Sequence, residues 1–372
     1  MEKYDLTYAT IDSLSEGVGS SQVTPLISRL SKAGLKINLI SFEKTRVEEE
    51  LKDSFKGMGV DWTPQVFGNG GILGGLLRMN HLRRIISDTN LIHARSDIPA
   101  VSGILSNEAP VLWDVRSLWG DQKSLIQNTN TKINPTLYRP LEVLASKRSS
   151  AMSTLTNAVV AKLEERNRIL PKLRIVVPTA VDLEMYKFDK NIPTQVRALF
   201  SGTYNNFYDL SLSSLFIAEL RKLVSCEVHW ARPVESPISK LDVGEGNVFS
   251  ASRKEMPALI SNSSFGVSVC KMDAGPSLTA SMPTKIGEFL ATGRPIVVNA
   301  GLGDMDAFIS EAKIGVILDG SQENLRKGAS ELIEIITDPD TPKRCRGIAE
   351  KYFNMDVGAD KYLKLYSRVL EV

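Results

Sequence analysis

The sequence predicts an α/β chain of two doubly wound, Rossmann-like parallel-sheet domains facing a cleft, and three observations predict it. Short apolar runs alternate with helical periods almost without a break. The alternation lapses once, over 182–194, where Lys187, Asp189, Lys190 and Pro193 gather, and then restarts. Finally, 372 residues of which 42% are hydrophobic suffice to bury two cores.

The elements follow in order. Strands are expected at 6–11, 37–42, 91–94, 111–115 and 151–156, with helices at 22–33, 47–56, 73–87, 98–105 and 138–150 between them. Past the irregular stretch come strands at 198–200, 228–230, 248–250, 266–269, 296–298 and 314–318, helices at 210–223 and 255–261, and three terminal helices. The chain thus divides into a domain over 1–185, a second over 195–355, and a terminal helix over 356–372 able to cross back to the first. The stretch 182–194 is a candidate hinge. In open parallel sheets ligands bind at the carboxyl ends of the strands, which places the expected site in the cleft.

Composition narrows the function. A formal net charge of +2 gives no reason to expect nucleic acid. Three cysteines, Cys226, Cys270 and Cys345, are odd in number and lack ligand-like spacing, so neither a disulfide framework nor a zinc site is expected. With only three histidines, no transition-metal centre is expected either. The residues Met1 to Asp5 open directly into a strand pattern and no apolar run reaches spanning length. The expected location is cytoplasmic, or at most peripheral at the inner face of the plasma membrane. The helix around 76–86 mixes apolar and basic residues and could touch an anionic membrane, although an exposed face on a soluble helix is the stronger reading.

The richest stretch is Met282 to Asp304. Pro283, Thr284 and Lys285 lead into a helix that carries Glu288 one turn in and stops at Gly293, with Pro295 just beyond. A helix N-terminus facing a loop suits a nucleotide diphosphate, since its unpaired N–H groups hold phosphates while Glu288 accepts from ribose hydroxyls. A capped surface helix with a solvated Glu is the alternative. In the first half, Gly17, Gly19 and Ser20 lie in a strand-to-helix turn, where glycine lets backbone approach a phosphate or sugar. Gln22 stands where the dinucleotide fingerprint needs a third Gly or Ala, which weakens a nicotinamide reading. The cluster Gly68 to Gly75 has no Lys-Ser or Lys-Thr after it and reads as a mobile loop before a basic helix.

Two predicted buried strands end in charge: His93-Ala94-Arg95-Ser96-Asp97 and Trp113-Asp114-Val115-Arg116. Charges there are costly unless they face a cleft or pair with each other. Arg95 and Arg116 could clamp a diphosphate or an anionic acceptor, and His93 and Asp114 could bind sugar hydroxyls. An Asp114–Arg116 or Asp121–Arg95 ion pair that organises loops is the other reading.

In order along the chain, the segments 17–23, 39–44, 93–96, 113–116 with Trp119, 155–156, Val177-Pro178-Thr179-Ala180-Val181-Asp182, Phe200-Ser201-Gly202-Thr203-Tyr204 and 283–291 resemble family 4 glycosyltransferases of the GT-B fold. The resemblance implies a hexosyltransferase-type enzyme. It would move a sugar from a nucleotide diphosphate sugar to a glycan or lipid-linked acceptor, with retention, without metal or cofactor, as in bacterial polysaccharide and glycoconjugate assembly. By that likeness Glu288 holds the donor ribose, Thr284 and Lys285 lie beside the diphosphate, Gly19 lines the cleft from the other domain, and His93 or Arg95 lies near the transferred sugar.

The chain departs from the family pattern at two places. Ala280 stands eight residues before Glu288, where a first glutamate is usual, and the loop from Gly202 lacks the usual Arg and Lys. Arg232 and Lys271, each ending a predicted strand, are the candidates to replace that positive charge. The same departures motivate an inactive nucleotide-sugar binding subunit as an alternative, with a nicotinamide-dependent oxidoreductase behind it.

Overall fold

The computed structural model describes residues 3–86, 88–126, 138–203, 205, 207–233 and 246–371. Met1, Glu2, Ser87, Tyr204, Asn206 and Val372, which figure in the expectations above, lie outside the described residues. Two compact units are present, one taking in 3–124, 138–178 and 355–371, the other 179–354.

The first unit holds seven strands: β1 (Leu6–Thr10), β2 (Ile37–Glu43), β3 (Val60–Val66), β4 (Ile92–Arg95), β5 (Val111–Val115), β6 (Ala151–Thr154) and β7 (Leu173–Val176). They form one sheet in the order β3-β2-β1-β4-β5-β6-β7, and every pairing is parallel. The five inner strands are buried along their whole length, because crossover helices cover both faces of a parallel sheet. Short, mainly apolar runs are what made those five legible. The two edge strands, β3 and β7, were not anticipated. Their partly exposed positions break the run, and Pro64 is tolerated in β3 because an edge strand can do without one N–H.

The helix Met355–Leu370 belongs to this unit. Asp356 pairs with Arg29, Lys361 Nζ donates to the Val176 carbonyl at 3.2 Å, and Tyr362 and Tyr366 reach the charges at the sheet's carboxyl edge. The Gly68–Gly75 cluster is not a loop throughout, since the helix Gly71–Ile85 takes in Gly71, Gly74 and Gly75. A Cβ on Gly74 would come within 1.9 Å of the Asn69 carbonyl oxygen, and one on Gly75 within 3.3 Å of Ile98. Close packing, rather than a turn, accounts for those two glycines.

The second unit holds β8 (Arg197–Ser201), β9 (Glu227–Arg232), β10 (Asn247–Ser250), β11 (Phe265–Ser268), β12 (Ile296–Asn299) and β13 (Gly315–Leu318), all parallel, in the order β10-β9-β8-β11-β12-β13. Phe200, Phe216, Phe265 and Val267 lie in its core. The irregular stretch after Val181 is tied to this unit: Arg294 donates to the Asp189 carbonyl and carboxylate, each at 3.0 Å, and Ser261 Oγ donates to the same carboxylate. The part around Asp189 is therefore anchored rather than a free tether.

Each sheet reverses strand order once, between β1 and β4 in the first and between β8 and β11 in the second. Helices leave to opposite faces at such points, so the strand ends there are open to a ligand. Among the described residues no helix is long and apolar enough to cross a membrane. Nor does any group of three or more His, Cys, Asp or Glu among them form a metal nest.

Candidate active site

At the first switch point the charges predicted from strand ends are found together and buried. Asp114, next to last in β5, is the hub. Its Oδ2 accepts from Arg116 Nε at 2.6 Å and lies 3.3 Å from His93 Nε2 and 3.7 Å from Arg95 Nη1. Its Oδ1 accepts from Ser153 Oγ at 2.7 Å and from the Tyr362 hydroxyl at 3.2 Å. Arg116 also donates to the Tyr362 oxygen at 2.8 Å, and His93 Nδ1 lies 2.6 Å from the Tyr366 hydroxyl. Burial alone would raise the Asp114 pKa, but Arg116, His93 and Arg95 hold it far below the carboxylate range. Burial lowers the His93 pKa in spite of Asp114, which favours the neutral ring.

Arg95 carries the network outward, donating through Nε to Asp12 Oδ2 at 2.7 Å, and Asp12 stands half-exposed at the rim. The Asp114–Arg116 ion pair is present. The Asp121–Arg95 pair is not: Arg95 turns to Asp12 and Asp114, while Asp121 accepts from Arg166 at 2.8 Å. His93, Arg95 and Asp114 each expose 3% of their surface or less. Sequence spacing had no means of finding the second half of this cluster, because Tyr362 and Tyr366 come from the far end of the chain.

The glycine turn beside it is held by a carboxylate. Glu43 Oε2 accepts from Ser13 Oγ at 2.6 Å and Ser15 Oγ at 3.0 Å, and Oε1 accepts from Ser41 Oγ at 2.6 Å and the Leu14 N–H at 3.0 Å. Burial would raise the Glu43 pKa, but these donors outweigh it and hold the group below its usual range. Gly17 takes φ +58°, and a Cβ on Gly19 would lie 1.9 Å from the Ser13 carbonyl oxygen. Gly19 is thus needed by the turn's own backbone. Ser20 Oγ donates to the Gly17 carbonyl at 3.0 Å.

The second switch point is built differently. The helix Thr284–Thr292 begins after Pro283 without a side-chain cap and ends at Gly293, whose φ of +90° favours glycine. Phe289 packs on Gly266 of β11 so closely that a Cβ there would meet the ring at 2.5 Å. Lys285 is one turn before Phe289 on the same helix face, and Ser268 is two residues after Gly266 on the same sheet face. Lys285 is therefore laid over the carboxyl end of β11. Its ammonium sits 4.2 Å from the centre of the Tyr208 ring, and opposite Gly202.

Only 8% of Lys285 is exposed, and burial brings its pKa down to about 8, against smaller upward pulls from Cys270 and Glu288. Glu288, half-buried, accepts from the Tyr186 hydroxyl; burial raises its pKa, and Tyr186, Arg253 and Lys285 pull it back in part. Gly202 takes φ +85°, its N–H donating to the Ala231 carbonyl and its own carbonyl accepting from Trp230 Nε1 at 3.1 Å. Arg232 ends β9, and Lys271 follows β11 with its N–H on the Phe207 carbonyl. The expected Gly202, Arg232, Lys271, Pro283, Thr284, Lys285 and Glu288 thus all belong to the carboxyl edge of one sheet and the helix starting there. Ala280 is buried at the end of the short helix Pro276–Thr279.

Three hydroxyls at this edge escaped the sequence reading. Ser201, Ser268 and Ser277 are each 3% exposed or less, and their Oγ atoms have no hydrogen-bond partner among the described residues. Val267 pairs with Phe200, so Ser268 and Ser201 stand side by side at the switch point. A serine closing an otherwise apolar buried strand is the signal that marks them.

No protein-family profile matches the sequence, and no curated protein matches it. Solved structures do resemble the fold. Sucrose-phosphate synthase from Thermosynechococcus elongatus superposes with a TM-score of 0.68 at 13% identity, over 99% of this chain and all of the other. Anabaena HepE, solved with UDP and glucose, gives 0.70 at 12% identity over 98% and 100% of the two chains. A glycosyltransferase from Rickettsia africae gives 0.67 at 14% identity with both chains covered in full. At these identities the likeness is one of fold, and the fold is GT-B: two Rossmann-like units of parallel sheet and helices.

Proposed function

We propose that the chain is a glycosyltransferase that draws a sugar from a nucleoside diphosphate sugar bound at the carboxyl edge of the second sheet. The observation that carries this reading is Lys285: a buried ammonium over the switch point, one turn ahead of Glu288. A cation stripped of water costs folding energy, and a site for a diphosphate is a reason to keep one there. Lys285, with Ser201 and Ser268 on the same face, would receive the phosphates together with the helix N–H groups behind Pro283 and Thr284. Glu288, oriented by Tyr186, would accept from ribose hydroxyls. Arg232, Lys271 and the backbone at Gly202 complete the donor side. That HepE has been solved with UDP makes a uracil nucleotide the first donor to try.

The chemistry needs charge at one place. As the bond from the sugar's anomeric carbon to the phosphate oxygen breaks, negative charge grows on the diphosphate, and each preorganised donor aimed at it is worth roughly 3–4 kcal/mol by removal. In a transfer with retention, the acceptor oxygen attacks from the face the phosphate leaves, and its proton passes to a phosphate oxygen. No protein base is then required, and Lys285 supplies charge that a divalent ion would otherwise bring. The acceptor, a glycan or a lipid-linked molecule, we assign to the carboxyl edge of the first sheet. There Asp12 is the open end of the buried chain through Arg95 to Asp114, Arg116 and His93, and Gly19 and Ser20 shape the adjoining turn. Those four buried residues act as positioning groups.

A nicotinamide reading finds less support, because Glu43, the acidic residue that would bind a ribose after the second strand, is consumed by Ser13, Leu14, Ser15 and Ser41. The test is thermal stabilisation by UDP, GDP, ADP, CDP, dTDP and NADH, on the wild type and Glu288→Ala. A ligand at 100 times its Kd should add about 2.7 kcal/mol. Stabilisation by one nucleoside diphosphate, lost in the variant, supports the donor site; stabilisation by NADH alone overturns it. Release of free nucleotide from the matching sugar donor then separates an enzyme from an inactive binding subunit.

A further inference from the structure

The loop from Gly202 to Asp209 carries no lysine or arginine, and its bulk is aromatic: Tyr204, Phe207 and Tyr208. Its far end is bolted across the end of β11. Tyr208 forms an antiparallel bridge with Cys270, the Lys271 N–H donates to the Phe207 carbonyl at 2.9 Å, and the Asp209 N–H donates to the Val269 carbonyl at 3.0 Å. Asp209 is fixed a second time, because its carboxylate caps the helix Leu210–Arg221 by accepting from the Leu212 N–H at 2.8 Å. The Phe207 ring stands edge-on to the Tyr208 ring, 6.0 Å away. Strand end, helix cap and neighbouring ring thus hold Tyr208 in one place.

What Tyr208 offers from there is a ring face, and Lys285 Nζ lies over it, 4.2 Å from the ring centre. Full negative charge does not settle that ammonium. The titratable groups acting on it are Cys270 at the strand end and Glu288 on its own helix. Burial pushes the Cys270 thiol up to about 12, so it is uncharged near neutrality, and Glu288 is itself raised by burial and shared with Tyr186 and Arg253. The negative face of an aromatic ring attracts a cation within about 6 Å of its centre, most strongly where water is excluded. We propose that Tyr208 is the positioning residue for Lys285: its ring keeps the side chain charged and holds the ammonium opposite Gly202. A carboxylate in the same place would also hold a cation, but it would repel an incoming phosphate and compete for the ammonium. A neutral ring covers one side of the cation and leaves the other to a ligand. The contact stands on its own geometry, whereas its purpose rests on the donor site proposed above.

The experiment reads the protonation of Lys285 in the full chain without nucleotide, by competitive acetylation with trace acetic anhydride from neutral to alkaline pH and mass spectrometry of its peptide. Tyr208→Leu removes the ring and should bring the midpoint of that profile down by about one pH unit, the effect of a cation–π contact worth a factor of ten. Tyr208→Phe keeps the ring and should move it far less. UDP affinity, followed by thermal shift, should then fall in Tyr208→Leu by up to about tenfold at and above pH 8, while the loss shrinks toward mild acid, where the lysine is charged with or without the ring. A ring that serves packing alone would lower affinity by the same factor at every pH. Should Tyr208→Leu not fold, trifluorinated phenylalanine at position 208 takes its place, since fluorine weakens the negative face of the ring at nearly constant shape. A Lys285 midpoint that is the same with and without the ring overturns the proposal, and so does a pH-independent loss of UDP affinity. A wild type that binds no nucleoside diphosphate but shows the ring-dependent midpoint loses the donor reading and keeps the ring as the holder of the ammonium. UDP binding with an unmoved midpoint does the opposite.

Discussion

The two switch points are the same place in the same kind of sheet, yet they treat charge in opposite ways. At the first, Asp114 is surrounded by Arg116, Arg95, His93, Ser153 and Tyr362, and its pKa is driven far down, toward the charged form. At the second, burial shifts both Lys285 and Glu288 toward their neutral forms, and three serine hydroxyls are left without partners among the described residues. At the first edge the opposite charges neutralise one another, although the Tyr8 hydroxyl and His93 Nε2 there also lack hydrogen-bond partners among the described residues. An edge whose charges are desolvated and incompletely compensated stores energy that a ligand of the right sign can recover. On the proposed function, the difference separates scaffold from donor site among residues that look equally catalytic in the sequence.

If that distinction holds, breaking the first edge is a stability event. Asp114→Asn removes the charge that compensates two buried guanidiniums, and should destabilise the protein by about 3–5 kcal/mol, read as a large drop in the denaturation midpoint. A variant of near wild-type stability would show that the two arginines are solvated in solution, and would return Asp114 to the list of substrate contacts. At the second edge, function rather than stability should suffer. Lys285→Met replaces a buried ammonium by an apolar chain of similar length, so the Tm should hold or rise, while transfer slows by roughly 3–4 kcal/mol of lost transition-state stabilisation. A falling Tm with unchanged turnover would reverse the assignment.

A third variant tests the glycine turn. If Gly19 serves the turn's own backbone, Gly19→Ala pushes a Cβ into the Ser13 carbonyl and should cost about 1–3 kcal/mol of stability, as overpacking does. If Gly19 instead serves only a bound phosphate or sugar, stability would stay and donor or acceptor affinity would fall. Equilibrium unfolding with and without ligand separates the two outcomes.

The legibility of the chain follows the same physics. Inner strands buried on both faces write short, mainly apolar runs, so β1, β2, β4, β5 and β6 were predictable nearly to the residue, whereas the partly exposed edge strands β3 and β7 were not. Gly293 announced its helix end because positive φ leaves few other residues possible. The charged strand ends could be listed from sequence but not sorted. Whether Asp114 faces a ligand or Arg116 depends on Tyr362 and Tyr366, more than two hundred residues away, and no local pattern encodes that return. Ser201 and Ser268 were invisible for a related reason. A buried hydroxyl becomes informative only when its partners can be counted, and counting needs the sheet register.

The finest test of the contrast is pH, because the two edges should respond in different windows. Asp114 titrates in the native state well below its unfolded value of about 3.9, so the native protein binds fewer protons there. Its contribution is complete above that value and is lost as the pH falls into acid. Lys285 titrates at about 8 in the native state against 10.5 for the free side chain, so here too the unfolded chain holds more protons. Stability therefore rises with pH from about 8 to 10.5, as the cost of the buried charge is relieved. Protection of backbone amides in β5 should weaken in acid, and protection in β11 should strengthen in mild alkali in the wild type but not in Lys285→Met. Nucleotide affinity should move against stability, falling by up to about tenfold per unit above pH 8 as the ammonium that meets the phosphates is lost. An affinity flat across that window, with the alkaline gain in β11 still present, would leave Lys285 buried for packing alone and move the phosphate charge to Arg232 and Lys271.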